Sequence, residues 1–145
     1  MGGMAIVTSM HLNETDGRWP LPLENCAVTQ CCVDYGVTLR FDHPAGRFEL
    51  RIEQSLDFVA GDGATFAIDP EDDPTGVGPL LACTRSTVTR ATAFRDGRLA
   101  IEFADDSRLS VSASDDYEAW ELAGPSGLRV VSTPGGDLTV WQGDA

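Results

Sequence analysis

The side chains best suited to bind a metal or to act as nucleophiles are four cysteines and two histidines. No two cysteines have CxxC spacing, and the adjacent Cys31 and Cys32 would point to opposite sides of a strand, so they cannot readily share a metal. His11 and His43 are distant in sequence from any second ligand. The sequence therefore predicts free thiols, as in a reducing compartment, and no metal site.

Clustered carboxylates are the next candidates for chemistry. The run DPEDDP (69–74) resembles half of a calcium loop, but it contains two prolines and lacks the ligand spacing of an EF-hand. The pairs at 105–106 and 115–116 could supply general acid–base catalysis. Both pairs lie where turns are expected, and aspartate is a favoured turn residue. We therefore expect solvated turns and no catalytic carboxylates.

Motifs for covalent catalysis or cofactor binding are also missing from the sequence. There is no GxSxG elbow, a catalytic triad would have to use His43 in its DHP turn, and no GxGxxG follows a strand. All ten basic residues are arginine, so neither a Schiff-base lysine nor a phosphate-loop lysine exists. The sequence predicts a protein that is not an enzyme and needs no cofactor.

The charge of the chain limits its partners. A net charge of −13 on 145 residues repels phosphate backbones and anionic membrane surfaces, so we expect neither nucleic acid nor membrane as a partner. A protein partner, above all a basic one, or a second copy of the chain remains open. The N-terminus has no basic region followed by an apolar run, and no stretch has the ~20 apolar residues of a membrane span. We therefore expect a cytoplasmic protein.

Alternating apolar and polar residues indicate the elements that would position any site. The segment RFELRIE (47–53) and the preceding VTLRF (37–41) alternate strictly, as half-buried antiparallel strands do. Segments 98–103 and 108–112 repeat the pattern, and the dipeptide at 96–97 is a strong hairpin signal. We predict a mainly β fold of antiparallel meanders, forming a curved sheet, an open barrel or a sandwich.

Two regions of the chain have the same order of strands and turns. One begins VTQCCVDYGVTLRF at Val28 and the other VTRATAFRDGRLAIEF at Val88. Either the chain contains a duplicated three-stranded meander, or generic β patterning produces the similarity. Between them, the only helix pattern is VGPLLACTRS (77–86), with Pro79 in its first turn.

The expected domain organisation follows from these elements. Residues 1–22 would be a loose N-terminal leader, residues 23–142 one β-rich domain, and residues 143–145 a frayed tail.

The C-terminal hairpin has an unusual predicted pattern. Pro134 and Gly135 suit the centre of a type II turn, which would join LRVVST and DLTVW in a hairpin, and we expect Thr133 to lie opposite Leu138. In that register both faces are apolar, one with Val131, Val140 and Leu138 and the other with Val130, Trp141 and Leu128. A second apolar face must be covered by segment 19–23, by the helix or by another chain. We therefore expect Trp141 in the core or in a subunit contact, the latter in a homodimer.

Aromatic residues supply the remaining candidate surface. Core packing is the default for Trp19, Trp120, Tyr35 and Tyr117, although an exposed aromatic cluster ringed by acids would suit a basic partner. The candidate partner or ligand surface consists of the following residues: Trp120, Val130, Trp141, Tyr117 and Tyr35.

The C-terminal part of the chain also resembles a known family. The pattern YEAW (117–120), then Gly124-Pro125, then PGG (134–136) and a final Val140-Trp141 is similar to the actinobacterial proteins of domain of unknown function family 6188. The likeness runs from about residue 28 to 141 and includes FADDSRL (103–109). The resemblance implies no activity, but it agrees with the arginine-only basic composition.

We therefore predict a non-catalytic protein-binding module. One alternative is an immunity protein whose acids block the basic groove of a nuclease toxin, by compositional analogy with other small acidic β proteins. A second alternative is a carrier with an apolar pocket between the sheet and the helix, near Leu80, Leu81 and Trp120.

Overall fold

In a computed structural model, residues 12–142 form twelve β-strands and two short 3₁₀ helices. The strands are β1 Arg18–Pro20, β2 Ala27–Val33, β3 Val37–His43, β4 Gly46–Ile52, β5 Leu56–Val59, β6 Thr65–Ile68, β7 Val88–Phe94, β8 Leu99–Phe103, β9 Arg108–Val111, β10 Trp120–Ala123, β11 Arg129–Thr133 and β12 Asp137–Trp141. The 3₁₀ helices span Pro74–Cys83 and Pro125–Gly127.

The strands form two antiparallel sheets of six strands each. The strand order is β1-β7-β8-β9-β5-β6 in the first sheet and β12-β11-β10-β4-β3-β2 in the second. The apolar residues of β4 (Phe48, Leu50 and Ile52) are fully buried, and one apolar core joins the two sheets. The predicted mainly β fold is confirmed, as two packed or curved sheets without a closed barrel.

The three-stranded unit seen twice in the sequence also occurs twice in the structure, as β2-β3-β4 and β7-β8-β9. The units meet through matched hydrogen bonds: the Val28 N–H donates to the Ser86 carbonyl and the Val88 N–H to the Cys26 carbonyl, each at 2.9 Å. In each unit the pairing register also shifts between the initial valine and the residue two positions later. This pseudo-twofold relation supports the duplication.

Matched substitutions test this relation. Val28 and Val88 are both fully buried on either side of the pseudo-twofold axis. We expect Val28→Ala and Val88→Ala to lower the free energy of unfolding by similar amounts, about 1.5–3 kcal/mol, because each removes two buried methyl groups at equivalent positions. Urea denaturation measures both values, and a twofold or greater disparity would contradict structural equivalence.

The predicted helix begins earlier than expected and is of a different type. It spans Pro74–Cys83, and the Asp73 carboxylate caps it by accepting the Thr75 N–H at 3.1 Å. Its buried residues, Val77, Leu80 and Cys83, recur every third position, which matches the three residues per turn of a 3₁₀ helix. Within residues 12–142, no helix is long and apolar enough to cross a membrane.

The expected loose leader differs from the structure over residues 12–22. Leu12 and Leu21 are buried, and β1 pairs with β7. The physical reason is that β7 would otherwise be an unprotected sheet edge above an apolar core. Residues 1–11, and the tail predicted to fray at 143–145, lie outside the described residues.

The register predicted for the C-terminal hairpin is wrong by one residue. Thr133 pairs with Asp137, so the loop contains three residues (134–136) where the prediction had four. Gly135 and Gly136 both adopt positive φ (92° and 85°), which allows the chain to reverse within this shorter loop. Val130 therefore faces Val140 on the core side. The other face mixes polar and apolar residues, of which Val131 is buried: Arg129, Val131, Thr133, Asp137, Thr139 and Trp141. The hairpin does not have two apolar faces.

Candidate functional site

The five residues of the predicted surface lie in two different environments. Trp120 and Val130 are buried in the core, so neither can line a surface, and this part of the prediction is wrong. Both lie on the inner faces of strands in the middle of the second sheet, where apolar side chains pack against the first sheet. Trp141, Tyr117 and Tyr35 are exposed at 50%, 44% and 78%.

Trp120 has a structural role in holding the two sheets together. Its indole N–H donates to the Gly97 carbonyl at 2.9 Å, and the Ser132 hydroxyl donates to the same oxygen at 2.8 Å. Gly97 lies in the turn between β7 and β8 of the opposite sheet. The indole therefore satisfies its polar group while burying a large apolar surface.

The Trp141 ring contacts a cation from its own chain. The Arg129 guanidinium lies 5.5 Å from the centre of the indole ring, within cation–π range. Arg129 also donates to Glu121 at 2.8 Å. This arrangement is a local stack on the outer face of the hairpin, and half of the indole stays exposed.

The two tyrosines are brought together although 82 positions separate them in sequence. They line one cleft of about 250 Å³ with three glutamates: Tyr35, Tyr117, Glu53, Glu71 and Glu118. The chain contains only these two tyrosines. This acidic cleft, defined by those five residues, is the strongest candidate site in the described part of the chain.

The β2–β3 turn positions Tyr35. The Asp34 carboxylate accepts the Gly36 N–H at 2.8 Å and contacts the Arg51 guanidinium at 2.8 Å. The hydrogen bond from Arg51, followed by that from Gly36, holds the pKa of Asp34 below its ordinary value. A side chain at Gly36 would meet the Ile52 carbonyl at 2.5 Å, so this turn requires glycine. Tyr35 therefore projects from a well-held turn.

The approach to β10 positions Tyr117. Its hydroxyl donates to Gln54 Oε1 at 2.8 Å, and Gln54 Nε2 donates to the Ala113 carbonyl at 3.2 Å. The adjacent Glu53 N–H donates to the Ala119 carbonyl at 2.8 Å. These bonds tie the tyrosine to the end of β4 and fix the cleft wall.

Negative charge dominates the acidic cleft. Glu53 forms an ion pair with Arg51, whose charge is shared with Asp34. Among residues 12–142, Glu71 and Glu118 have no ion-pair partner. Two tyrosine rings beside such carboxylates suit a guanidinium or ammonium group, which gains both Coulomb attraction and cation–π contact.

Other candidate groups form turns or lie in the core. The His43 Nδ1 accepts the Ala45 N–H at 2.9 Å, and Asp105 accepts both the N–H (3.0 Å) and the hydroxyl of Ser107. These hydrogen bonds from Ser107 lower the pKa of Asp105. Within the described range 12–142, no three metal-ligating residues are grouped to hold an ion.

All four cysteines are free thiols. Burial raises the pKa of Cys83 to about 12 and that of Cys31 to about 11. Cys83 is fully buried, whereas Cys31 is only partly so. These thiols are therefore poor nucleophiles near neutral pH, because the thiolate is the reactive form.

The raised pKa of Cys83 predicts alkaline destabilisation. The folded state holds the proton to about pH 12, whereas the unfolded thiol loses it near 9.0, so stability is complete below pH 9 and falls as pH rises. We expect this thiol to lower the free energy of unfolding by about 1.4 kcal/mol for each pH unit between pH 9.5 and 11. Urea denaturation across this range measures it, with Cys83→Ala as the control that should have a shallower slope. An equal slope would contradict the assignment.

The sequence identified both tyrosines but not the glutamates beside them. Core packing, the default prediction for these aromatic residues, is wrong for Tyr35 and Tyr117, which are exposed. The acidic cleft corresponds to the alternative, an exposed aromatic cluster beside acids, although Trp19 and Trp120 are not part of it. Glu118 could have been found from its position next to Tyr117. Glu53 and Glu71 come from separate segments and carried no local signal.

Comparison with known proteins gives a family for most of the chain. A family model described as a family of unknown function, DUF6188, matches residues 19–142. No curated protein and no solved structure matches the chain. The matched range includes every residue of the acidic cleft and all twelve strands except the first residue of β1.

Proposed function

The chain belongs to the DUF6188 family, and we propose that it is a non-catalytic protein-binding module whose acidic cleft receives a basic side chain of a partner protein. The single observation that carries this proposal is the convergence of both tyrosines with three glutamates in one cleft. Exposed tyrosines positioned by hydrogen bonds supply contact area at a low entropic cost.

The size of the acidic cleft supports a side chain as its occupant. Its volume of about 250 Å³ lies below the ~300–1,000 Å³ of pockets for drug-sized ligands. One arginine or lysine side chain fits this scale. The rest of the partner would then contact the surrounding surface, as in other interfaces where one anchor enters a pocket.

The charge of the whole molecule favours the same partner. The net charge of −13 attracts basic proteins over a range set by ionic strength. Such steering raises association rates more than it raises affinity, so the acidic cleft would supply the specific contact.

A ligand titration tests the occupant of the cleft. Protein labelled with ¹³C in tyrosine reports on the acidic cleft alone, since both tyrosines lie there. We expect N-acetyl-arginine amide to shift both tyrosine ring signals. Tyr35→Ala should weaken binding about 2–5-fold, because one cation–π contact is worth about 0.5–1 kcal/mol at an exposed site.

Two controls separate specific binding from general charge attraction. Tyr35→Phe keeps the ring and should bind N-acetyl-arginine amide as the unmodified protein does. N-acetyl-glutamine amide, which is uncharged, should shift neither ring. Equal shifts with the arginine and glutamine compounds would contradict a cation site.

An immunity protein is a second candidate, favoured by the same acidic cleft and net charge. Its basic partner would be a nuclease toxin whose substrate groove the acids block. A toxin gene directly upstream, and inhibition of that toxin by the purified chain, would distinguish this case. The carrier alternative has less support, because Leu80 and Trp120 are buried in the core and fill space that it assigned to a ligand.

The remaining parts of the proposal concern assembly and setting. The exposed half of Trp141 is the feature of the hairpin that supports a homodimer, because the other residues on that face include polar and charged side chains. Light scattering of the unmodified protein and Trp141→Ala tests it. Four free thiols favour a reducing, cytoplasmic setting, and the arginine-only basic composition favours an actinobacterial source.

A further inference from the structure

The outer edge of β6 offers backbone hydrogen-bonding groups. β6 is the last strand of its sheet and pairs with β5 on one side. The bond from the Ala60 N–H to the Ala64 carbonyl fixes which opposed residues exchange hydrogen bonds. By alternation, the N–H and C=O groups of Thr65 and Ala67 point away from β5.

β6 is a short edge strand of four residues, but its sequence lacks the other devices that usually protect a sheet edge. Its sequence TFAI contains no charge, proline or bulge, and its first three residues are exposed. The other outer strands differ: β1 ends in Pro20, β2 has a shifted register, and the Gln142 amide after β12 bonds both backbone groups of Leu12 at 2.8 and 3.0 Å. β6 is thus the outer strand best suited to accept another strand.

One end of β6 lies beside the acidic cleft. Ile68 pairs with Leu56, two residues after the glutamine that holds Tyr117. Beyond Ile68 the chain turns tightly, with the Asp69 carboxylate accepting the Glu71 N–H at 3.2 Å. Glu71, three residues past the strand, is part of the cleft wall. Glu71 therefore connects the end of β6 to the acidic cleft within three residues of chain.

We propose that the partner segment is an extended strand that pairs with the outer edge of β6 and places a terminal basic side chain in the acidic cleft. This inference rests on the proposed function, and it adds the conformation of the partner. Backbone pairing with Thr65 and Ala67 supplies hydrogen bonds, and the cleft selects for charge. A suitable segment has about four residues of high β propensity with arginine or lysine at one end.

Synthetic peptides test this geometry. The probes are acetyl-RTVTVT-amide and acetyl-TVTVTR-amide, which cover both strand directions, added to protein labelled with ¹⁵N and with ¹³C-tyrosine. We expect one of them to shift the tyrosine rings together with the Thr65 and Ala67 amides. The N–H groups of alternate peptide residues point toward β6, so N-methylation of that set should weaken binding at least about tenfold. N-methylation of the other alternate set, whose N–H groups point away from β6, should have little effect.

A protein variant checks the edge directly. Ala67→Pro removes an outward N–H without removing a bond to β5, so it should weaken the peptide and leave binding of N-acetyl-arginine amide unchanged. Preserved tyrosine and core signals show that the variant is folded. If it does not fold, the N-methylated peptides answer the same question in the unmodified protein.

The outcomes separate this inference from the proposed function. Tyrosine shifts without any response of β6 would overturn strand pairing and leave the cation site standing. If the peptide shifts the β6 amides but not the tyrosine rings, and N-acetyl-arginine amide shifts neither ring, both the cation site and the proposed peptide geometry would be overturned. Concentration-dependent broadening of the β6 amides without peptide would identify a second copy on the edge and would also overturn the inference.

Discussion

Trp120→Ala should lower the free energy of unfolding by about 3–5 kcal/mol. The side chain is 1% exposed and is among the largest fully buried side chains of the core. Its loss removes apolar burial and also the hydrogen bond from the indole N–H to the Gly97 carbonyl of the opposite sheet, at 2.9 Å. Urea denaturation monitored by circular dichroism measures the change without depending on tryptophan fluorescence.

A more conservative pair of variants separates packing from hydrogen bonding. Trp120→Phe keeps an aromatic ring but removes the indole N–H, and the Gly97 carbonyl then keeps the Ser132 hydroxyl at 2.8 Å. We expect Ser132→Ala alone to lower the free energy of unfolding by about 1 kcal/mol, because the Gly97 carbonyl then keeps only the hydrogen bond from the Trp120 indole. The double variant, Trp120→Phe with Ser132→Ala, should lower the free energy of unfolding by more than the sum of the two single changes, because the buried Gly97 carbonyl then has no donor from either side chain. A cost below about 1 kcal/mol for Trp120→Ala would contradict a role in joining the sheets.

Strand positions were predictable because they depend on alternation over many residues. In β4, Phe48, Leu50 and Ile52 all face the core, as the pattern at 47–53 predicts. An error at one residue does not change such a pattern. The same argument holds for β8, where the residues facing the core also recur at every second position.

Register and helix type were not predictable in the same way, because single residues decide them. The loop of the C-terminal hairpin contains three residues (134–136), one fewer than the predicted register requires, so Thr133 pairs with Asp137 and not with Leu138. This difference of one residue changes which face each later side chain occupies. Similarly, the segment Pro74–Cys83 buries every third residue, which an α-helical pattern does not distinguish clearly. The apparent two-faced hairpin, and the surface assigned to Val130, followed from this register error.

The acidic cleft was only partly predictable because four separate segments build it. The first half of the chain supplies Tyr35 and Glu53, and the second half supplies Tyr117 and Glu118. Each half places three strands in one sheet and its following strands in the other sheet, so β10 pairs with β4. This exchange places the Tyr117 loop at the end of β4, and a single sequence gives no local sign of it.

Charge reversal inside the acidic cleft should have the largest effect on binding. Glu71→Lys replaces a carboxylate that has no ion-pair partner within residues 12–142 with a cation that competes for the same site. We expect affinity for N-acetyl-arginine amide to fall at least about tenfold, since lost attraction and new repulsion together exceed 1.4 kcal/mol. Titration of the ¹³C-tyrosine signals measures it. Stability should change little, because Glu71 is an exposed turn residue whose backbone carries the bond to Asp69.

Glu24→Lys is the matched control for this variant. It changes the net charge of the molecule by the same amount at an exposed position that lines a different cleft. At physiological salt the Debye length is about 8 Å, so a distant exposed charge is largely screened and binding should stay within about twofold of the unmodified protein. Equal losses in the two variants would mean that net charge alone attracts the cation. A loss confined to Glu71→Lys would tie the attraction to the carboxylates beside the two tyrosines, where the partner's basic side chain is expected to bind.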